Sequence, residues 1–307
     1  MMRVVVTGAA GFIGTQLSNF LRARGQQVTE IDLAQCDIRD TEKLRAALAV
    51  ARPEQIYHLA AQPNVRDSWR DPVHTWQTNV FGTLSLFEAI RTTCPTARTL
   101  IMSSASIFDG TDIADPITED MNPVPRSPYG ASKLAGELIA QQHRLAYQSQ
   151  TITVRPFNII GPTQSAAYVV PSLAQRVLNA IETDERHISV GNLRATRDFL
   201  NIRDAVRGLH LLMNAGEPGE TYNLCTGAGH SIQTVIETLI SLADFELTPY
   251  EAQEHQRAHD AMKLTGDPRK NTAQTGWRAE ISLRETLSEV LTALRAQLTS
   301  QESRGGE

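Results

Sequence analysis

The 307-residue chain has few of the features that mark several classes of protein. Its three cysteines, Cys36, Cys94 and Cys225, are widely separated and form no C-x-x-C pair. This pattern predicts neither a disulfide framework nor a metal site, and it favours a cytoplasmic location. No apolar stretch is long enough to span a bilayer, and the first residues do not form a signal peptide, so we expect no membrane association.

The chain also lacks an excess of positive charge. Its formal net charge is −5, which offers no general attraction to a polyanion, so nucleic acid is not expected as a partner. Hydrophobic residues make up 41% and charged residues 21%, as in an ordinary globular protein. This length allows one large domain or two smaller ones.

Short apolar runs alternate with helical patterns in the first half of the chain. Continuous rather than alternating hydrophobicity predicts strands that are covered on both faces, as in a parallel sheet. The predicted strands are 3–7, 27–31, 55–59, 98–103 and 151–154, and the predicted helices are 12–24, 41–51, 75–93 and 129–148. This order predicts an α/β fold with a doubly wound parallel Rossmann sheet.

The second half of the chain is less regular. We predict helices at 170–183, 203–214, 231–243 and 282–298, strands at 187–190 and 221–225, and a disordered tail at 299–307. Residues 1–160 and about 197–215 are predicted to form the dinucleotide-binding domain. Residues from about 161–196 and 216–307 are predicted to form a smaller, C-terminal substrate-binding domain.

A glycine-rich turn follows the first predicted strand. Residues 7–14 read TGAAGFIG, with glycines in the spacing G-x-x-G-x-x-G, and a helix begins within the turn. Glycine allows the backbone to approach a pyrophosphate, which then lies at the helix N-terminus. The residues predicted to bind a dinucleotide here are Gly8, Gly11, Phe12, Ile13 and Gly14.

An acidic residue, Asp32, follows the second strand, where a carboxylate can accept hydrogen bonds from ribose hydroxyls. No Arg or Lys follows at once to bind a 2′-phosphate, which favours NAD(H) over NADP(H). Asp37 either takes part in the adenosine site or caps the helix that begins near Thr41. The cofactor-binding prediction also includes Ile38, Leu59, Ala60 and Ala61.

A tyrosine and a lysine are four residues apart in the sequence SPYGASK. Pro128 is suited to a helix start, and the i, i+4 spacing puts Tyr129 and Lys133 on one helix face. The pair fits an exposed polar stripe, and it equally fits a phenol whose proton is made easier to remove by an ammonium group. Ser104 lies at the end of the fourth predicted strand, where ligands gather in a parallel sheet.

In this order, several motifs resemble the extended short-chain dehydrogenase/reductases, the NAD-dependent epimerase/dehydratase family. They are TGAAGFIG, HLAAQ (58–62), TNVFGT (78–83), SSAS (103–106) and YGASK (129–133). RPFNIIGP (155–162), TRDFLNIRDA (196–205) and GDPRKNTAQTGW (266–277) are similar to the branch that modifies nucleotide sugars. The stretches 65–84 and 190–205 look most like the group that contains GDP-mannose 4,6-dehydratase and GDP-4-keto-6-deoxymannose reductase.

The resemblance implies a catalytic group of Ser104, Tyr129 and Lys133. Tyr129 would exchange a proton with the sugar, and Lys133 and the nicotinamide charge would lower the pKa of its phenol. Lys133 would also bind the nicotinamide ribose, Tyr129 would contact the cofactor as well, and Ser104 would orient the reacting oxygen. The family usually has Tyr-Gly where this chain has Phe108 and Asp109.

Ser106 departs from the 4,6-dehydratases, which have a glutamate at this position for proton removal. Serine needs strong activation to act as that base. A dehydratase is therefore disfavoured, and the resemblance of 65–84 and 190–205 to the GDP-mannose group implies a reductase of a GDP-4-keto-6-deoxy sugar, with an NDP-sugar 4-epimerase as the alternative. A dehydratase and a non-catalytic NAD-binding protein are less favoured.

The resemblance also suggests residues that bind the nucleotide sugar. These are Ser106, Asn158, Arg197 and Arg257, the two arginines being expected to bind the diphosphate. Structural roles are favoured for Asn79, His58, Arg203, Asp204 and Asp260. The helices predicted at 75–93 and 129–148 resemble those that pair subunits in relatives, so a homodimer is expected.

Overall fold

The computed structural model describes residues 1–109, 116–255 and 261–305, with side chains described up to residue 299. Twelve strands occur in these residues. In chain order they are β1 Arg3–Thr7, β2 Gln27–Ile31, β3 Gln55–His58, β4 Arg98–Met102, β5 Thr151–Pro156, β6 Asn158–Ile160, β7 His187–Val190, β8 Thr196–Asn201, β9 Thr221–Leu224, β10 Gly229–Ser231, β11 Thr248–Glu251 and β12 Lys263–Leu264.

The same residues contain eleven α-helices. They are α1 Phe12–Ala23, α2 Thr41–Ala51, α3 Val65–Arg70, α4 Pro72–Trp76, α5 Gly82–Thr93, α6 Pro128–Tyr147, α7 Val169–Thr183, α8 Ile202–Ala215, α9 Ile232–Ala243, α10 Arg269–Thr275 and α11 Leu283–Gly305. A π-helical turn, Gln77–Phe81, joins α4 to α5, and 3₁₀ turns lie at Ala105–Phe108 and Gln253–His255.

The central sheet has six parallel strands in the order β2-β1-β3-β4-β5-β9. This arrangement confirms the predicted doubly wound α/β fold. Val4, Val5 and Val6 of β1 are fully buried, because helices cover both faces of the sheet. The strand order reverses between β1 and β3, and ligands of such sheets bind in the crevice at this point.

A second group of strands and helices lies beyond the carboxyl end of β5. Strand β8 pairs with β6, β10 and β12, and β7 pairs with β11. Helices α7, α9 and α11 pack around a hydrophobic cluster that includes Val177, Leu239 and Leu291. A separate cluster lies against the central sheet. The domain boundaries expected from the sequence remain predictions.

Three features differ from the sequence expectations. Strand β9 falls in the segment assigned to the second unit, yet it pairs with β5 in the central sheet. The helix predicted at 75–93 contains a wide turn, in which the N–H of Gly82 donates to the carbonyl of Gln77, five residues earlier. The last helix continues through the predicted tail to Gly305, because no glycine or proline between residues 283 and 304 interrupts it.

The described part of the chain contains no helix that is long and apolar enough to cross a membrane. Within the same residues, His, Cys, Asp and Glu side chains form no group of three or more that could hold a metal ion. The expectation that the protein uses no metal remains a prediction.

Gly8 and Gly25, two of the glycines with a left-handed backbone conformation, allow a matched test of the glycine turn. Both have positive φ, +69° and +74°, so alanine at either position costs roughly 1–2 kcal/mol. Only at Gly8 would a Cβ clash, 2.7 Å from the backbone nitrogen of Ala60. We expect Gly8→Ala to lower the urea midpoint more than Gly25→Ala and to weaken cofactor binding. Equal effects of the two variants on stability and on binding measured by cofactor fluorescence would contradict this account.

Candidate active site

A cavity of about 1030 Å³ opens at the carboxyl ends of the central strands. Every described residue of the predicted site lines it. These are Gly8, Gly11, Phe12, Ile13, Gly14, Asp32, Asp37, Ile38, Leu59, Ala60, Ala61, Ser104, Ser106, Tyr129, Lys133, Asn158 and Arg197. Arg257 and Asp260 lie outside the described residues. The fold thus brings distant motifs of the chain into one concave site.

The glycine turn forms the wall of the cavity at the end of β1. The N–H of Gly8 donates to the carbonyl of Ile31 at 2.8 Å, so the turn begins against the end of β2. A Cβ on Gly14 would lie 2.7 Å from the Cα of Ala9, which shows how closely α1 packs on the turn. In the described residues, no side chain caps the start of α1. Its first N–H groups therefore suit a pyrophosphate.

Asp32 lies beside this turn at the end predicted for the adenosine ribose. Its Oδ2 accepts from the N–H of Ala10 at 2.9 Å, and its Oδ1 accepts from the N–H of Leu33 at 2.8 Å. These two bonds hold the carboxylate in place. Each oxygen keeps a second lone pair that can accept from a ribose hydroxyl.

Asp37 lines the cavity in a two-pronged ion pair with Arg39. The guanidinium Nε lies 3.0 Å from both carboxylate oxygens and Nη2 lies 2.6 Å from one, which lowers the pKa of Asp37. The alternative role of Asp37 as a helix cap is wrong. Asp40 caps α2 instead, accepting from the N–H of Lys43 at 3.0 Å, because it lies directly before the first helical residue.

Ser104, Tyr129 and Lys133 come together at the end of β4. Ser104 caps the 3₁₀ turn that follows the strand, accepting from the N–H of Ser106 at 3.1 Å, and its side chain hydrogen-bonds to Tyr129. The Nζ of Lys133 donates to the carbonyl of Met102 at 2.8 Å and lies 5.9 Å from the centre of the Tyr129 ring. The predicted catalytic residues are therefore neighbours, and an exposed polar stripe is excluded for the buried Tyr129.

Burial controls the protonation of this group. It raises the pKa of Tyr129 to about 12, although the hydrogen bond with Ser104 acts in the opposite direction. Burial also lowers the pKa of Lys133 to about 8. The expected decrease in the phenol pKa is therefore not produced by the protein's own groups. At neutral pH Tyr129 carries its proton, as a general acid must.

Two buried serines hold the backbone of Tyr129. Its N–H donates to Ser68 Oγ at 3.1 Å, and its carbonyl accepts from Ser132 Oγ at 2.7 Å. A Cβ on Gly130 would clash with the carbonyl oxygen of Ser106, so α6 packs directly on the 3₁₀ turn. Sequence reasoning missed both serines, and only the position of Ser132 between the tyrosine and the lysine could have indicated one of them.

Asp109 supports the start of α6. Its carboxylate accepts from the N–H groups of Arg126 and Ser127, the latter at 3.2 Å. Ser127 in turn caps α6 by accepting from the N–H of Gly130 at 3.0 Å. The family usually has glycine at the position of Asp109. In this chain the aspartate therefore adds a carboxylate that fixes the segment before Tyr129.

Two of the predicted substrate residues, Asn158 and Arg197, line the cavity from strands β6 and β8, whereas Ser106 lines it from the 3₁₀ turn after β4. Asn158 Nδ2 donates to the carbonyl of Asp198 at 3.2 Å, and Arg197 Nη1 donates to the carbonyl of Thr196 at 2.8 Å. Both side chains are thereby oriented by backbone groups. A nucleotide could bind between them and the glycine turn.

Arg203 and Asp204 serve the scaffold, as expected. Arg203 pairs with Glu285 at 3.2 Å and also with Glu289 of α11. The carboxylate of Asp204 accepts from the N–H groups of Glu280 and Ile281 at 2.8 and 2.9 Å. These contacts join α8 to the start of α11.

Further side chains that line the cavity were not predicted from sequence. They include Arg66, Gln164, Tyr168, Arg176 and His255. Arg176 Nη1 donates to the carbonyl of Ser189 at 2.9 Å, and Tyr168 lies at the start of α7. None belongs to a local motif with a chemical meaning, because the fold alone brings them to the cavity.

A glycine turn at a topological switch point and a Ser-Tyr-Lys group in the same cavity define an enzyme of the NAD(P)-dependent short-chain dehydrogenase/reductase class. The model of one family of these enzymes, GDP-mannose 4,6 dehydratase, matches residues 26–290. The chain belongs to this family, which confirms the resemblance seen in its motifs.

Curated relatives include reductases and epimerases. The chain is 31% identical over 292 residues to GDP-6-deoxy-D-mannose reductase from Pseudomonas aeruginosa, covering 94% of this chain and 96% of the relative. It is also 31% identical over 321 residues to UDP-glucose 4-epimerase from Mycolicibacterium smegmatis, covering 96% of this chain and 99% of the relative.

The fold is also similar to those of solved structures. The reductase RMD from Pseudomonas aeruginosa, complexed with NADPH, matches with a TM-score of 0.88 and 29% identity, over 97% of this chain and 100% of the other. UDP-glucose 4-epimerase from Thermotoga maritima, with UDP-glucose, matches with a TM-score of 0.89 and 28% identity, over the same shares of both chains.

The low pKa of Lys133 predicts a pH dependence of stability. The pKa is about 8 in the folded protein against 10.5 for an unperturbed lysine, so between these values the unfolded chain binds more protons. The contribution of Lys133 to stability should therefore rise with pH in this window, by up to about 1.4 kcal/mol per pH unit, whereas Cys94, whose pKa burial raises to about 11, contributes in the opposite direction.

The Lys133→Met variant lacks this contribution. Without added cofactor, the urea midpoint of the native protein should rise relative to that of Lys133→Met as the pH increases above 8. Lys43→Met, on an exposed part of α2, is the matched control and should run parallel to the native protein. Parallel curves for Lys133→Met as well would contradict the buried charge.

Proposed function

We propose that this protein reduces the 4-keto group of a GDP-linked 4-keto-6-deoxy sugar, with NAD(H) as the cofactor. The observation that carries the proposal is the protonated Tyr129 beside Ser104 and Lys133, in a cavity where a serine, Ser106, stands at the position of the dehydratases' glutamate. The similarity to GDP-6-deoxy-D-mannose reductase supports the choice of substrate.

A bound nicotinamide would supply the hydride to the keto carbon. Tyr129 gives its proton to the carbonyl oxygen, so that the ketone becomes an alcohol as the reduced cofactor is oxidised. Ser104 is hydrogen-bonded to Tyr129 and can hold the same oxygen beside the phenol. Lys133, fixed on the carbonyl of Met102, keeps a positive charge next to the phenolate that forms.

Dehydration needs a further base that removes a proton from carbon. Among the described residues that line the cavity, the only carboxylates are Asp32 and Asp37, and both lie in the loop after β2 beside the glycine turn. Ser106 has no carboxylate to offer. These observations favour reduction, or reversible oxidation, over loss of water.

The preference for NAD(H) rests on charge at the adenosine end. Asp32 would repel a 2′-phosphate, and Arg39 directs its Nε and Nη2 to Asp37. The relative RMD was solved with NADPH, so the assay below compares NADH with NADPH.

A 4-epimerase is the second candidate, because relatives named UDP-glucose 4-epimerase match over the whole chain. In an epimerase, Tyr129 would remove the hydroxyl proton while the oxidised nicotinamide would accept the hydride, and the same hydride and proton would then return to the other face of the keto sugar. It would cause no net oxidation of cofactor and would accept a nucleotide sugar without a keto group.

The main test is incubation with GDP-4-keto-6-deoxymannose and NADH or NADPH, monitored by cofactor absorbance. We expect one cofactor oxidised per sugar, faster with NADH and faster than with the UDP-linked analogue. Tyr129→Phe should lower kcat by about 10²–10⁴-fold, since it removes the proton donor, and should leave cofactor binding intact.

Tyr147→Phe, at the exposed end of the same helix, is the control and should keep full activity. Product formed from a non-keto sugar with no net cofactor oxidation would replace the reductase proposal by the epimerase. Unchanged turnover in Tyr129→Phe would contradict the catalytic role of the tyrosine.

We also propose a homodimer formed through the π-helical turn, α5 and α6. Large apolar side chains are exposed on these packed elements, namely Phe81, Leu84, Leu138 and Leu145. Leu138 and Leu145 are seven residues apart on α6, and thus share one face of that helix. This apolar surface agrees with the dimer predicted from sequence.

The double variant Leu138→Glu/Leu145→Glu places charge on this face and should convert the dimer to a monomer in light scattering coupled to gel filtration. Val50→Glu on α2, exposed elsewhere on the protein, is the control and should leave the mass unchanged. A native protein that is already monomeric, or a double variant that remains dimeric, would contradict this interface.

A further inference from the structure

His58 lies in the protein interior, at the end of β3, between two threonine hydroxyls. Its Nδ1 is 2.8 Å from Thr7 Oγ1, at the end of β1, and its Nε2 is 3.0 Å from Thr83 Oγ1, in α5. The ring, both hydroxyls and their surroundings are buried. The reaction described above assigns no task to any of these three groups.

The direction of each hydrogen bond follows from chemistry. Thr83 Oγ1 lies 2.6 Å from the carbonyl of Asn79, which can only accept, so the single hydroxyl proton points there. His58 Nε2 must then carry a hydrogen and donate to Thr83. The neutral ring leaves Nδ1 as the acceptor for the hydroxyl of Thr7.

The chain of bonds begins beside the cofactor turn. Thr7 Oγ1 also accepts from the N–H of Ala60 at 3.3 Å. Ala60 lines the cavity, and its backbone is the one that a Cβ on Gly8 would meet. The hydroxyl of Thr7 thus ties the loop after β3 to the strand that leads into the glycine turn.

The chain of bonds ends on the catalytic helix. Asn79 Oδ1 accepts from the N–H of Gln62 at 2.7 Å, while its Nδ2 donates to the carbonyl of Gln62 at 3.1 Å and to Ser132 Oγ at 2.9 Å. The hydroxyl of Ser132 in turn donates a hydrogen bond to the carbonyl of Tyr129 at 2.7 Å. Every polar hydrogen in this series has one acceptor.

The π-helical turn explains how Asn79 takes this position. In a wide turn the backbone bonds reach five residues back, as from Gly82 to Gln77, and the hydroxyl of Thr83 supplies a bond to the carbonyl of Asn79. Such turns often occur at functional sites. The hydroxyl thus supports the turn that directs the Asn79 amide toward α6.

We propose that the buried series of hydrogen bonds Thr7–His58–Thr83–Asn79–Ser132 sets the position of Tyr129 relative to the cofactor turn. Its members are positioning residues, since they act on the reaction through Tyr129. His58 is the fixed centre of the series as a neutral ring with its hydrogen on Nε2. Burial and the positive charge of Lys133 lower its pKa to about 3, so it keeps this form at neutral pH.

Thr83 offers the sharpest test, because one substitution breaks the series in the middle. Thr83→Val removes the acceptor of His58 and the donor to Asn79, whereas Thr83→Ser keeps both. Thr92→Val is the matched control. Thr92 lies on the same helix and donates to the carbonyl four residues earlier, as Thr83 does, but its exposed hydroxyl touches no histidine.

With whichever nucleotide sugar is turned over, Thr83→Val should lower kcat by roughly tenfold or more at saturating cofactor. The cofactor Kd should change by less than about twofold, because the glycine turn keeps its contacts. Thr83→Ser should restore kcat, and Thr92→Val should not alter it. A Thr83→Val variant that is less stable but has native kcat would overturn the proposal. So would equal losses in Thr92→Val.

If Thr83→Val does not fold, Ser132→Ala removes the last two bonds, the one from Asn79 to Ser132 and the one from Ser132 to the carbonyl of Tyr129. A native kcat in that variant would equally overturn the proposal. A second measurement does not depend on the activity proposed above. Nitrogen-15 NMR of the imidazole should show His58 with its hydrogen on Nε2 in the native protein and in Thr83→Ser, with a changed signal in Thr83→Val. A charged ring, or a hydrogen on Nδ1, would overturn the order of bonds even if the substrate were another sugar.

Discussion

The burial of the Tyr129 phenol at the end of β4 is the constraint on which the rest of the site depends. It raises the pKa of the phenol above its usual value, and α6 lies directly on the turn that follows Ser104. The backbone of Tyr129 is held on both sides, by Ser68 and Ser132. Burial also lowers the pKa of Lys133, so the protein pays in stability for a charge placed beside the acid.

Local patterns in the sequence predicted much of the fold and the centre of the site. The glycine turn, the strands of the central sheet and the Tyr129–Lys133 spacing each depend on neighbours within a few residues. The π-helical turn at Gln77–Phe81 was not predictable, because its residues also fit an ordinary helix. The choice of Asp40 over Asp37 as the cap depended on where the helix begins, which sequence patterns define only approximately.

Features that depend on distant contacts could not be derived from the sequence. Strand β9 pairs with β5 in the central sheet, although most of the chain between the two strands belongs to the second unit. Tyr168 and Arg176, at the start of α7 and within it, line the cavity. The pKa of Tyr129 likewise depends on all the groups that bury the phenol. Burial raises this pKa, whereas the neighbouring Lys133 was expected to lower it.

In the proposed reaction, one hydride passes from the cofactor to the sugar in the cavity, and Tyr129 acts as the acid. Deuterium placed at the transferable position of NADH can be traced by mass spectrometry and NMR of the product. We expect one deuterium bound to C4 of the sugar for each NAD formed. A product without deuterium at C4, or deuterium that remains on the cofactor, would contradict it.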